Sequence, residues 1–235
     1  MYPEAWGTRR PRSHDDLRDA RARPVAGRAA TEAPDLTARI CGICPVAYQM
    51  SACYAVERAL DVQVASGIHD LRRLLYCGEW IQSHALHVLM LHAPDFLGVD
   101  DVVGVSRLHP ERVKAGLELK KAGNTLMALV GGRAIHPVNV KDGGFYSVPS
   151  REQVLAVVEQ LERAKEIALE QLTWVATFDI PDVERPVELV ALRDGRRYPF
   201  CDGRLVSTRR RRPASRSAPS ATTTPASRAR PTSSR

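Results

Sequence analysis

The chain of 235 residues has few aromatic residues, only five cysteines and no long apolar run. At 6% of the sequence, the aromatic residues do not suggest the stacking platforms that single-stranded nucleic-acid binders combine with Lys and Arg. The uncharged runs Ile40–Val56 and Trp80–Pro94, of 17 and 15 residues, are both shorter than the roughly 18 residues of a membrane-spanning helix. An odd number of cysteines without a secretion signal indicates free thiols or metal ligands rather than a disulfide framework.

The formal net charge of +7 is concentrated at the two ends of the chain. Residues 208–235 contain eight arginines and no acidic residue, residues 1–30 carry +3, and the middle of the chain is therefore at −4. A nucleic-acid reader carries its basic residues on a folded face, so this distribution argues against nucleic-acid binding. Arg9-Arg10 is not followed by an apolar stretch, so we expect no export signal, no membrane span and a cytoplasmic location.

Hydrophobic periodicity predicts a mainly α fold with a helical, bundle-like core. The four predicted helices cover residues 45–60, 67–93, 110–130 and 151–175. The second is apolar on nearly all sides in its later half, which is typical of a helix buried in a larger body, and it is expected to be broken at Pro94. The fourth begins at a capping box formed by Ser150 and Gln153.

Two other stretches predict a small amount of β structure. Residues 131–145 are rich in glycine and are interrupted by Pro137, which indicates a structured loop or a short hairpin. Residues 188–192 and 198–200 flank Asp194-Gly195 in a hairpin pattern, with Pro199 restricting the second strand to a sheet edge. We expect an irregular segment over 1–28, a folded domain over 29–207 and a disordered tail rich in Arg, Ser, Pro and Thr over 208–235.

The strongest motif is Cys41-Gly42-Ile43-Cys44, which lies just before the first predicted helix. Two thiols three residues apart at such a junction can hold one metal, and both the helix N-terminus and Arg39 favour the thiolate form. Thiolates select zinc, copper(I), iron–sulfur or nickel and iron chemistry. The spacing alone leaves three alternatives open: an incomplete metal site, a redox pair and incidental buried thiols.

Several other polar residues are interpreted as structural. We expect His84 and His87 to be hydrogen-bonded core residues, and Glu57 and Glu79 to be charges on helix surfaces. Cysteines outside the motif behave by default as small apolar residues. The ones to which this applies are Cys53 and Cys77.

Four ordered segments of the chain carry a resemblance to a known family. They are 31–52, which contains R-x-C-G-x-C, 78–98, 131–145 and 188–206. Together they resemble the large (alpha) subunit of nickel-iron hydrogenases, most closely its cytoplasmic, NAD(P)-linked, sulfhydrogenase-type branch. The resemblance covers about residues 29–207 and implies a fragment of the hydrogenase large-subunit fold. It also implies the family's reaction, the reversible oxidation of H2 with electrons passed to NAD(P).

The resemblance assigns roles to individual residues. It implies that Cys41 is a nickel ligand and that Cys44 bridges nickel and an iron carrying cyanide and carbon monoxide; the full-length family also has a magnesium site. Arg39 and Tyr48, the latter where many members have histidine, are expected to support these ligands. Two residues, Arg133 and His136, either face a partner subunit or iron–sulfur cluster or fix a glycine-rich turn. The implied partners are a small subunit with iron–sulfur clusters and diaphorase-type NAD(P)/flavin subunits.

The chain also departs from the family pattern. It has neither the second cysteine pair, D-P-C-x-x-C, nor the E-G-type segment that carries the family's proton-relay glutamate. One hypothesis is that both ends are out-of-frame translations, which a clean single frame through residues 24–235 on resequencing would refute. We expect the chain to be inactive by itself. The alternative is a non-enzymatic helical module that binds zinc through Cys41 and Cys44 or binds a partner protein.

Overall fold

A computed structural model describes residues 25–195, 198–199 and 203–208. The chain divides into two compact units, with the boundary between Pro181 and Asp182. The predicted irregular segment lies mostly outside the described residues, as does nearly all of the predicted tail, and the predicted domain boundaries remain predictions. In the described part, no helix is both long and apolar enough to cross a membrane.

Helices dominate the first unit. In chain order they are α1 (Ala33–Thr37), α2 (Pro45–Ala59), α3 (Ser66–Leu86), α4 (Ala93–Leu97), α5 (Val102–Leu108), α6 (Pro110–Gly131) and α7 (Arg151–Val175). A short 3₁₀ turn, Ala30–Glu32, precedes α1, and a π-helical segment, His87–His92, joins α3 to α4. The strands form two antiparallel hairpins, β1 (Val140–Lys141) with β2 (Gly144–Phe145), and β3 (Val190–Arg193) with β4 (Arg204–Ser207). The predicted mainly α fold with a small hairpin region is confirmed.

Three helices each begin or end at a residue that carries a local sequence signal. Pro45 occupies the first turn of α2, where its missing N–H has no helical partner to lose. The α6 helix ends at Gly132, whose φ of 83° is left-handed and suits glycine. At the start of α7, the Ser150 hydroxyl accepts the Gln153 N–H and the Gln153 side chain accepts the Ser150 N–H, which confirms the capping box.

The prediction that Pro94 breaks the second helix was wrong. The chain stays helical through the π-helical segment, and Pro94 lies in the first turn of α4, where proline is tolerated. The short α5 helix was also missed, although it has a local signal, since the Asp101 carboxylate accepts the Gly104 N–H at 2.9 Å.

The second hairpin forms with a different partner strand from the one predicted. Residues 190–193 pair with residues 204–207 instead of residues 198–200. Tyr198 and Pro199 lie in no strand, in keeping with the lack of a ladder N–H at proline, and Phe200 lies outside the described residues. The predicted loop or hairpin over 131–145 is confirmed, with Gly143 at a φ of 76° in its turn.

The core forms where α3 packs on α6, and α7 packs on the other side of α6. Two glycines bring the α3 and α6 backbones together: a Cβ on Gly123 would lie 2.5 Å from the Gln82 nitrogen and 2.7 Å from the Gly78 carbonyl oxygen. The core also contains side chains that are almost fully buried. They include Met50, Leu75, Met127, Val130 and Ile167.

A buried ion pair joins α2 and α3 to the first hairpin. The Arg72 guanidinium donates to the Glu57 carboxylate, with 2.9 Å between Nη1 and Oε2, and Arg72 is completely buried. The second Glu57 oxygen accepts the Gly143 N–H at 2.7 Å. The prediction that Glu57 is a surface charge was therefore wrong. Its carboxylate is 4% exposed and holds the hairpin turn against the helices.

Candidate metal centre

The Cys41–Cys44 loop brings its two sulfur atoms to the same side. The connection between α1 and α2 curls so that Cys41 Sγ accepts the Cys44 N–H at 3.2 Å and the Ile43 N–H at 3.4 Å. The two sulfur atoms lie 2.7 Å apart, and both residues are partly exposed. Bonds of about 2.3 Å to one tetrahedral metal set two sulfurs roughly 3.8 Å apart, so a shift of about 1 Å would let both bind one ion.

The two thiols have opposite pKa shifts. The hydrogen bond from the Cys44 thiol lowers the pKa of Cys41, and the two backbone N–H groups lower it further. Burial and the hydrogen bond to Cys41 raise the pKa of Cys44 to about 11. Cys41 is therefore the first of the pair to become a thiolate. A cation that displaces the shared proton would favour the thiolate form of both residues.

The α3 helix contributes a buried carboxylate to this loop. Glu79 is 2% exposed; its Oε2 accepts the Val46 N–H at 2.6 Å and its Oε1 accepts the Ala47 N–H at 3.3 Å. The prediction of a helix-surface charge was wrong for this residue as well. Burial raises the pKa of Glu79 to about 7, although the two N–H bonds oppose the shift.

One turn further along α3, Gln82 holds the other side of the loop. Its Nε2 donates to the Ile43 carbonyl at 2.6 Å, and its Oε1 accepts from Lys120 Nζ on α6 at 3.3 Å. This role of Gln82 was not predicted from the sequence. The available signal was the i, i+3 pair of polar residues, Glu79 and Gln82, on a largely apolar helix.

Arg39 and Tyr48 lie close to the cysteines in sequence and are both exposed. Arg39 is an exposed residue of the loop, two positions before Cys41. Tyr48 is in the first turns of α2 with 41% of its surface exposed, and its carbonyl accepts the Thr37 hydroxyl at 3.3 Å. That they support metal ligands stays a prediction.

The glycine-rich loop after α6 is fastened to the start of the cysteine loop. Arg133 Nε donates to the His136 carbonyl at 2.6 Å, and the His136 ring nitrogen Nδ1 lies 2.6 Å from the Ala38 carbonyl, to which it can donate. The Gln49 amide of α2 donates to the Pro137 carbonyl at 3.0 Å. These contacts support the turn-fixing alternative for Arg133 and His136, whereas their facing a cluster or a partner stays a prediction.

The histidines of α3 and its extension bond to their own helix. His84 Nδ1 lies 2.8 Å from the Trp80 carbonyl and His87 Nδ1 lies 2.7 Å from the Ser83 carbonyl. The predicted hydrogen bonding is confirmed, but the core position is wrong for His84, which is exposed.

Among the described residues, the cysteines outside the pair are Cys53 and Cys77. Cys53 is fully buried, and burial raises its pKa to about 12; burial also raises the pKa of Cys77. Cys201 lies outside the described residues. Within the described ranges, no group of three or more His, Cys, Asp or Glu side chains is arranged to hold a metal ion. The donor set therefore fits a metal that takes two soft thiolates here and its other ligands elsewhere.

Comparison with known proteins places this loop in a family context. Residues 24–115 match the family described as nickel-dependent hydrogenase. The sulfhydrogenase 2 alpha subunit of Pyrococcus furiosus is 40% identical over 154 residues, which are 61% of this chain and 37% of that protein. The sulfhydrogenase 1 alpha subunit of the same organism is 30% identical over 168 residues, covering 71% of this chain and 39% of that protein.

Solved hydrogenase structures are similar in fold to this chain. A crystal structure of an NAD+-reducing [NiFe]-hydrogenase in the H2-reduced state superimposes with a TM-score of 0.69 at 27% identity, covering 76% of this chain and 44% of that one. The Ni-Fe-Se hydrogenase of Desulfomicrobium baculatum shares the fold, with a TM-score of 0.56 at 21% identity over 63% of this chain and 35% of that one. The chain spans less than half the length of each of these relatives.

Proposed function

We propose, from the premise that this chain is a member of the nickel-dependent hydrogenase large-subunit family, that Cys41 and Cys44 are ligands of a nickel–iron centre. The observation that carries the proposal is the pair of sulfur atoms 2.7 Å apart, inside the segment that matches the family. Cys41 is assigned to nickel, and Cys44 is assigned to both nickel and iron. The bound centre, whose iron carries cyanide and carbon monoxide, would supply the heterolytic cleavage of H2.

The chain's own part in this chemistry is to hold two thiolates in place. The N–H groups of Ile43 and Cys44 point at Cys41 Sγ and stabilise negative charge there. Cys44 lies at the N-terminus of α2, where the helix dipole also favours an anion. The loop is tied to α3 through Gln82, so the sulfurs are held in place by the helical core.

The family premise extends to partners and location. The proposal includes a small subunit with iron–sulfur clusters, diaphorase-type NAD(P)/flavin subunits, a cytoplasmic enzyme and a magnesium site in the full-length family. For the NAD(P)-linked partners, support comes from the relatives, one an NAD+-reducing [NiFe]-hydrogenase and others sulfhydrogenase alpha subunits. Reversible H2 oxidation is the activity proposed for the complete assembly.

Metal analysis tests the ligand assignment. The 235-residue chain is produced anaerobically in a host that assembles nickel–iron centres, and its nickel, iron and zinc contents are measured with infrared spectra. Nickel with iron and bands of cyanide and carbon monoxide are expected, and Cys41→Ser or Cys44→Ser should abolish them. Cys77→Ser, which removes a half-buried thiol elsewhere on α3, is the matched control and should change nothing. Zinc alone, or no metal, would contradict the proposal and favour a zinc-binding or partner-binding module.

A further inference from the structure

The N-terminus of α2 is capped by a side chain from another helix. An N-cap side chain normally accepts the N–H of the second or third helical residue, and in α2 these residues are Val46 and Ala47. Cys44 occupies the N-cap position, but its side chain makes no capping bond. Both N–H groups are bound instead by the two carboxylate oxygens of Glu79, which lies 33 residues beyond Val46. The helix start is thus satisfied without using the thiol of its own N-cap residue.

We propose that Glu79 is a positioning residue that caps α2 from α3 and so leaves the Cys44 sulfur free to bind metal beside Cys41. This inference rests on the proposed function, since it assigns a purpose to the freed sulfur. Gln82, on the same face of α3, donates to the Ile43 carbonyl and fixes the middle of the loop. Between them, the two side chains hold the loop on both sides of Cys44.

A carboxylate suits this position better than an amide. Its two equivalent oxygens accept both N–H groups, whereas a glutamine offers one acceptor oxygen and would turn an NH₂ group towards the other N–H. Burying a carboxylate at 2% exposure is costly without such bonds, and the positive end of the α2 dipole adds to them.

The charge of Glu79 has two opposed effects on metal binding. It raises the pKa of both cysteines, which disfavours the thiolates, and it attracts the incoming cation. Loss of the cap would let Cys44 turn towards the freed N–H groups and would weaken metal binding. Glu79→Gln removes the charge but keeps one acceptor oxygen, so its comparison with Glu79→Ala separates positioning from electrostatics.

The test measures the affinity of the metal-free 235-residue chain for cobalt(II), which is the only metal added. Binding is followed by the charge-transfer absorption from thiolate to cobalt. Glu79→Ala is expected to weaken cobalt affinity by about 10- to 100-fold, the usual effect of losing a group that orients a ligand. Glu79→Gln should fall between Glu79→Ala and the unaltered chain. Unchanged or tighter binding in both variants would overturn the proposal.

Two matched variants exclude indirect effects. Asp70→Asn removes an exposed carboxylate from the same helix, and Ile167→Ala destabilises the core from α7; neither should change the affinity. If Ile167→Ala lost as much cobalt affinity as Glu79→Ala, lower stability would explain both losses and the inference would be overturned. Cys41→Ser separates the two proposals: if it leaves cobalt binding intact, the ligand assignment fails, whereas intact binding in Glu79→Ala alone refutes only the positioning role.

Discussion

Replacing Gly123 by alanine should separate α3 from α6 and disturb the cysteine loop. The new Cβ would lie 2.5 Å from the Gln82 backbone nitrogen and 2.7 Å from the Gly78 carbonyl oxygen. Both neighbours are backbone atoms, so relief to an ordinary contact of about 3.4 Å requires a helix movement of nearly 1 Å. Overpacking of this kind costs about 1–3 kcal/mol, which outweighs the gain of up to about 1 kcal/mol from alanine's helix propensity.

Urea unfolding followed by circular dichroism measures the net effect of Gly123→Ala. We expect a loss of about 1–2 kcal/mol in the free energy of unfolding, together with weaker cobalt binding because the shift moves Gln82 away from the Ile43 carbonyl. Gly67→Ala is the control, because its Cβ would meet nothing within 4 Å, and it should stabilise the chain by about 0.5–1 kcal/mol. A Gly123→Ala chain as stable as the unaltered one would refute the close helix contact.

Three further predictions concern buried charge and capping. Arg72→Met leaves the Glu57 carboxylate buried without its cation and should cost about 3–5 kcal/mol in urea unfolding, most of it recovered in the double variant with Glu57→Leu. The pKa of Glu79 rises on folding from 4.5 to about 7, so its contribution to stability should decline by roughly 3 kcal/mol as pH rises through this window. Unfolding measured from pH 5 to 7.5 should therefore show a slope that Glu79→Gln abolishes, and equal slopes would contradict the buried carboxylate. Ser150→Ala removes the α7 cap and should cost about 0.5–2 kcal/mol, against no change for the exposed Ser51→Ala.

Local signals account for the helices that the sequence predicts well. The α7 helix carries its own start signal in Ser150 and Gln153, three residues apart, and α6 carries its end signal in Gly132. The π-helical segment has no comparable marker, because its register depends on how His87–His92 packs against α6. The β4 strand was assigned too early in the chain because hairpin patterns favour the shortest connection.

The candidate site and its surroundings also include residues that the sequence predicts and residues that it does not. The C-x-x-C spacing identifies the two sulfur atoms, and the structure brings them together through hydrogen bonds within residues 41–44. Glu57 and Glu79 were both misassigned because an acidic residue on a helix is most often exposed. Their partners are Arg72, Gly143 and the start of α2, which lie 15 to 86 residues away in sequence. No local pattern reports such distant partners.

The dependence on distant residues also explains why the spacing of the cysteine motif alone left three alternatives open: an incomplete metal site, a redox pair and incidental buried thiols. Its spacing describes how two thiols meet, whereas its chemistry depends on what holds the loop and what the N-cap thiol is free to do. Here Gly78 and Gly123 let α3 lie against α6, and that contact sets Gln82 between Lys120 and the Ile43 carbonyl. Glu79, one turn earlier on α3, then takes over the capping of α2. Because a change at Gly123 reaches the sulfurs through this path, stability and metal affinity should fall together in Gly123→Ala, whereas Ile167→Ala should lower stability and leave the affinity unchanged.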